Sequence, residues 1–327
     1  MMMMSRQTED GDLRIDRDMP EGIRYDADLA VHEPVPVPSE PLRPSRRLSP
    51  LLLLPIGLVV LSLLIYALFG LIAREGRRSA DYLEAIRSQR GTGWQAAFEL
   101  SRLLPIESPQ QRDDRFAPQL IALFEAARGE DPRVRRYLAL SLGEIRDPRS
   151  LEALEGALAD EDLQTRIYAG WGLGALQDTR AVPALLPLLD SDEADLRKIG
   201  AYALGSLRAP EAVGRLRELL NDPVEDVSWN AALALARQRD DSGLPLLARM
   251  LDRAYLDKVV RPDEAGRPRP LGAEQKEEAI LNAVRSMADL KDRRHLEALR
   301  SLRDADPSLR VRQAAREALE TLERPAR

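Results

Sequence analysis

Two patterns of apolar residues divide this chain. The first is a continuous run, Leu51 to Ala73, LLLLPIGLVVLSLLIYALFGLIA, which carries no charge. Only Pro55, Gly57, Ser62, Tyr66 and Gly70 interrupt its large apolar residues. The second pattern is periodic and begins near Arg115. Asp147, Asp178, Ala209 and Asp240 stand 31 residues apart, each opening a turn into a helix. At the same offset recur Leu151/Val182/Val213/Leu244, Leu154/Leu185/Leu216/Leu247 and Leu158/Leu189/Leu220/Leu251. A second helix repeats as Leu142/Leu173/Leu204/Leu235, with small Gly143/Gly174/Gly205/Ala236 beside it.

The continuous run predicts a single transmembrane helix over 51–73. At about 1.5 Å per residue it reaches roughly 35 Å, enough to cross a hydrocarbon core of about 30 Å. Lipid satisfies no backbone polar group, so a lone spanning segment is an α-helix. A secretory signal has an apolar core of only about 7–15 residues near the start of its chain. Here some 50 residues precede a longer run, which exits into Arg74, Glu75, Arg77 and Arg78. The spacing therefore favours a retained anchor.

Residues 1–50 hold ten acids against seven arginines, and six prolines fall within 34–50. Such a segment buries too little apolar surface to offset its ordering entropy, which predicts a disordered tail, acidic and then proline-rich. Three arginines flank the span on the N-terminal side (Arg43, Arg46, Arg47). Five follow it (Arg74, Arg77, Arg78, Arg87, Arg90). The positive-inside rule then places the repeat region in the cytoplasm, as in a bacterial inner-membrane protein.

After the span, SADYLEAIRSQR reads as a helix with Ser79 as N-cap, and GTGWQAAFELSRLL as its partner, a juxtamembrane hairpin within 74–114. From 115 to 327 the period implies stacked antiparallel helix pairs, each unable to cover its own apolar face and burying it against the next. The expected fold class is all-α: one transmembrane helix followed by an α-solenoid. The stretches EDPRVRRYLALSLGEIRDPRSLEAL, DEDLQTRIYAGWGLGALQDTRAVPALLPLL and DEADLRKIGAYALGSLRAPEAVGRLRELL carry the resemblance. The array resembles HEAT repeats of the short bacterial form related to phycobilisome-lyase repeats. The resemblance implies the fold and implies no lyase activity.

Two departures punctuate the period. Pro187 lies inside a first helix, where it removes a hydrogen bond and kinks the helix. An insertion, DRAYLDKVVRPDEAGRPRPLGAEQ (252–275), interrupts the fifth unit; its RPDEAGRPRP core reads as loop, with AYLDKVV extending the preceding helix. Insertions of this kind emerge on one edge of a solenoid and often carry binding; a tolerated flexible loop is the competing reading. The charged last helix suits a polar cap.

Composition removes most chemistry. With no cysteine, thiolate metal sites, disulfides and cysteine nucleophiles are excluded. Only two histidines occur, His32 and His295, and no zinc-protease, phosphate-loop or serine-hydrolase motif is present. HEAT-like iron hydroxylases need His-Glu pairs that this chain lacks. Residues 79–327 hold 38 bases and 43 acids, a net of −5, which disfavours nucleic acid. The expectation is a protein with no catalytic residue, no metal and no cofactor.

What remains for binding is aromatic and basic. Tyr137 and Tyr168 share one repeat column, Trp171 and Tyr202 another, and Trp229 falls one column over. They form either an aromatic stripe for a partner or packing between units. Arg261, Arg267 and Arg269 add a basic insertion loop as a competing docking element. The sequence thus reads as a membrane-anchored, non-catalytic scaffold for a protein partner, with a membrane complex as one candidate. The alternative is a lyase-like or chaperone-type protein handling a chromophore or cofactor.

Overall fold

The computed structural model describes residues 58–64, 78–88, 93–262 and 266–323. The chain divides into two compact units, 1–71 and 72–327. In the first, residues 58–64 are helical and their apolar side chains are exposed, Leu58 and Leu63 among them. The rest of the expected span over 51–73 lies outside the described residues, as do the tail over 1–50 and His32. Among the described residues no helix is long and apolar enough to cross a membrane.

The second unit is a row of helix pairs. They are α1 (Ser79–Ser88) with α2 (Trp94–Leu103), α3 (Phe116–Ala126) with α4 (Pro132–Glu144), and α5 (Leu151–Ala157) with α6 (Leu163–Leu176). Next come α7 (Val182–Leu185) with α8 (Ala194–Leu207), and α9 (Val213–Leu219) with α10 (Glu225–Arg237). α11 (Leu244–Met250) pairs with α13 (Ala273–Asp289) across the insertion, and α14 (Leu296–Ala305) with α15 (Leu309–Glu323) ends the row. The insertion itself holds the one-turn helix α12 (Arg253–Leu256) and strands β1 (Val260–Pro262) and β2 (Pro268–Pro270).

The leucine columns are the core. Leu154, Leu185, Leu216 and Leu247, like Leu142, Leu173, Leu204 and Leu235, have no exposed surface. Beside them, the small-residue column sets how closely second helices pack. A Cβ on Gly143 would meet the Gly172 backbone at 2.6 Å, and one on Gly205 the Ala234 backbone at 2.7 Å. Only glycine permits those approaches, which lie inside ordinary contact distance.

The second helices α4, α6, α8, α10 and α13 end the same way. Arg146, Gln177, Arg208, Arg239 and Lys291 all have positive φ, between 50° and 61°. The N–H of the residue after the left-handed one then reaches back to the leucine column: Ala209 to Leu204, Asp240 to Leu235 and Asp292 to Met287, at 2.9–3.1 Å. This left-handed stop satisfies end carbonyls that the helix itself cannot pair. The stops are spaced 31, 31, 31 and then 52 residues apart, so the insertion adds 21 residues and the period resumes beyond it.

Buried arginines brace successive units. Arg135 Nε donates to Asp160 at 2.7 Å and its Nη1 to the Phe124 carbonyl at 2.7 Å. Arg197 repeats the contact with Asp222 at 2.7 Å. In α10 Ser228 stands where that arginine is due. The insertion supplies a replacement: Arg253 binds Asp306 bidentately, at 2.7 and 2.8 Å.

Several expectations change here. Ser79 is the first helical residue rather than the cap, and its N–H donates to the buried Glu107 carboxylate at 3.1 Å. Pro187 does break its helix, which continues as 3-10 turns over Leu186–Asp190. The insertion is not a loop extending α11. It is a separate turn of helix and an antiparallel hairpin, Val260 facing Pro270 and Arg261 facing Arg269, so the unit is not wholly helical. Leu256, Val259 and Leu271 are buried and fix the hairpin base, an apolar anchoring that RPDEAGRPRP alone does not show.

Two outcomes follow from this packing. Leu204→Ala should cost roughly 2–5 kcal/mol, as a fully buried side chain is deleted where units meet. Glu218→Ala, on an exposed face beside Arg215, should move stability by no more than roughly 0.5 kcal/mol. Coincident urea midpoints for the two variants would contradict the stacking.

The turn carboxylates predict an acid limit. Hydrogen bonds from Arg149 and Arg180 hold Asp147 and Asp178 below their ordinary 3.8. Burial alone would raise Asp292, but hydrogen bonds from Arg294 and His295 outweigh it and lower it. Carboxyls depressed by folding contribute stability above their unfolded value and lose it as pH falls through the folded one. The thermal midpoint should therefore hold from about pH 7 to 5 and fall below about pH 4. Asp292→Asn should blunt that fall; an unchanged acid profile in the variant would count against the cap.

Candidate functional site

A concavity lies where the period is interrupted. A groove of about 750 Å³ runs between α8, α10, β1 and α13. Its walls carry Tyr202 from α8, Trp229 and Arg237 from α10, Arg261 from β1, and Asn282 and Arg285 from α13. A second groove of about 500 Å³ between α13 and α15 shares Arg285 and Asp289, and adds Leu281, Val284 and the exposed Leu309. The two grooves adjoin at Arg285 and Asp289, and the pair is called the trough below.

One wall is a stack built across the insertion. Trp229 packs edge-on against Tyr255 at 6.4 Å, and its Nε1 donates to the Tyr255 hydroxyl at 3.3 Å. Arg249 lies over the Tyr255 ring at 4.4 Å, and Arg261 over the Trp229 ring at 5.5 Å. Arg261 also pairs with Asp226. Tyr202 is covered likewise, by Arg237 at 5.3 Å. The aromatic faces of this groove are thus already occupied by guanidinium groups of the same chain.

Four charges here stand outside any ion pair, Arg237 meeting only the Tyr202 ring. Arg237, Glu278, Arg285 and Asp289 make no ion pair among the described residues. Two cations and two carboxylates therefore face the trough, which suits a partner of mixed charge rather than a polyanion. Among the described residues no group of three or more histidines, aspartates or glutamates is placed to hold a metal ion.

The structure separates the aromatic residues singled out by sequence. Tyr202, Trp229 and Arg261 meet in the groove. Trp229, however, is only 5 % exposed, so it supports the wall and does not project from it. Tyr137 packs edge-on against Phe98 at 5.1 Å, and Tyr168 is half-buried, its phenol pushed up by burial. The Trp171 ring lies 2.7 Å from where a Gly143 Cβ would stand, filling the space that this glycine leaves. These three are packing between units rather than groove lining. Arg267 and Arg269 are exposed on the hairpin, and each has an interaction partner.

Sequence reasoning missed Arg237, Asn282, Glu278 and Arg285. The signal was present but interrupted: Leu233 and Arg285 occupy one column only once the 21 inserted residues are removed.

The stacked pairs define an α-solenoid. Residues 120–205 and 194–262 match HEAT repeats, so the resemblance read from the sequence holds over that stretch. No match is found among curated proteins. Similar solved structures include the complex of CpcE and CpcF of phycocyanin lyase from Nostoc sp. PCC7120, at 21 % identity and a TM-score of 0.48. That match covers 76 % of this chain and 96 % of the other. A designed armadillo repeat protein is 18 % identical, with a TM-score of 0.35 and coverage of 68 % and 99 %. Human deoxyhypusine hydroxylase in complex with glycerol is 20 % identical, with a TM-score of 0.33 and coverage of 79 % and 89 %. Likeness at this level assigns no activity to this chain.

The stack gives a direct expectation. Trp229→Ala should cost about 3–5 kcal/mol, because it empties a buried site. Arg261→Ala removes a partly exposed pair and should cost about 1 kcal/mol or less. With Trp94 and Trp171 replaced by Phe, Arg261→Ala should also red-shift the Trp229 emission. An unshifted emission would mean that Arg261 does not cover the ring.

Proposed function

We propose that the protein is a non-catalytic scaffold, tethered to a membrane by a single helix over 51–73, that receives a protein segment in the trough along α8, α10, α13 and α15. The observation that carries this reading is the trough itself, with a groove of about 750 Å³, walled by rigid helices and bearing four charges outside any ion pair. Rigid presentation lowers the entropy lost on docking, and a solenoid offers such a surface without altering its core. The insertion contributes Tyr255 and Arg261 to the wall, so it shapes the site instead of competing with it.

The tether rests on the sequence: 23 uncharged residues, of which 58–64 are helical with exposed apolar side chains. Arginine counts on its flanks support a cytoplasmic array. The net charge of −5 over 79–327 supports a protein partner over nucleic acid.

A photo-crosslinking residue at Asn282, in the full chain in its native membranes, should capture one protein, identified by mass spectrometry. The same residue at the exposed Glu152 of α5 should not. Arg237→Glu with Arg285→Glu should reduce capture at least tenfold, and carbonate washing should leave the chain with the membranes. Equal labelling from both positions would overturn the docking site, release by carbonate the tether, and a co-purifying visible chromophore the non-catalytic reading.

A further inference from the structure

The arginine braces described above have one incomplete member. Arg135 and Arg197 each donate Nε to an aspartate 25 residues later, Asp160 and Asp222. Arg166 stands midway between them, 31 residues from each, and the residue 25 positions after it is Ser191. Its Nε is buried and has no hydrogen-bond partner. The orphaned atom is therefore the same one that meets a carboxylate in both flanking units.

Ser191 otherwise does what those aspartates do. Its Oγ accepts the Glu193 N–H at 3.2 Å, as Asp160 Oδ1 accepts that of Asp162 at 3.0 Å and Asp222 Oδ1 that of Val224 at 2.9 Å. A second guanidinium is at hand, since Arg197 Nη1 donates to the Ser191 carbonyl at 2.8 Å and to that of Asp192 at 3.0 Å. Nearby acids are partly engaged already, Asp190 with Arg215 and Asp195 with Lys198, while Asp192 and Glu193 are exposed. Ser191 is itself accessible, three residues before α8 begins.

We propose that Ser191 is a phosphoryl-acceptor site, where a phosphate completes the brace that Arg166 leaves open. A phosphoserine brings close to two negative charges and three acceptor oxygens, which a guanidinium binds in bidentate fashion. It would also lie before the positive end of a 14-residue helix. The transfer forms the Ser191 Oγ–P bond and breaks the bond from the γ-phosphorus of a nucleoside triphosphate to its β,γ-bridging oxygen. The hydroxyl proton passes to a base of the transferring kinase, the diphosphate leaves, and nothing is oxidised or reduced. Because α8 carries Tyr202 and Lys198, the modification fixes one wall of the trough.

The test compares full-length wild type, Ser191→Asp, and protein with phosphoserine installed at 191, each with and without Arg166→Ala. Peptide 181–197 from the native membranes is weighed alongside. The expected result is a thermal midpoint raised by about 2–4 °C in both anionic forms, a gain abolished by Arg166→Ala, and a native peptide heavier by one phosphate. An unchanged or lowered midpoint, or a gain that survives Arg166→Ala, overturns the brace. A native peptide without phosphate overturns the modification, and none of these results decides whether a partner docks in the trough.

Discussion

Neighbouring second helices meet at the small-residue column, where glycine lets them approach within the space of a side chain. Gly143 leaves no room for a side chain against the Gly172 backbone, nor Gly205 against the Ala234 backbone and methyl. That contact sets the distance between units, and the leucine columns fill the space it defines. Large residues are displaced to the faces: Tyr137 and Trp171 into the grooves between second helices, Trp229 against the insertion. An array with wider spacing would leave those rings exposed.

The same constraint explains why the trough lies where it does. Repeats held at a fixed spacing present a nearly uniform surface. This concavity falls at a break in the period. The 21 inserted residues make one between α11 and α13, and the chain repairs the core side of the break with Leu256, Val259, Leu271 and the Arg253–Asp306 brace. The solvent side is left open and lined by residues from both sides of the interruption.

The fold was legible because its period is written in residue types with one physical meaning each: leucine for burial, glycine for close approach, aspartate for the turn. Ala209 shows the limit, since it keeps its place in the column without any side-chain cap. The site was much less legible. Trp229 was visible as an aromatic residue, yet its burial depends on Tyr255 and Arg261, which come from an insertion with no repeat to place them. RPDEAGRPRP looked like a loop because its prolines suppress any strand pattern. Arg285 belongs to a column that cannot be followed until the length of the insertion is known. The left-handed stops at Arg146, Arg208 and Arg239 had no glycine to announce them.

Hydrogen exchange on the full-length protein tests most directly whether the array is one stack continued across the insertion. The account predicts that amides of α13 and α15 are protected to the same degree as those of α6, α8 and α10. It also predicts that Arg253→Ala raises exchange in 273–323 while leaving 132–207 unchanged. Fast exchange throughout 273–323 in the unaltered chain would show that the last units fold apart from the rest, and the trough would then lose one of its walls.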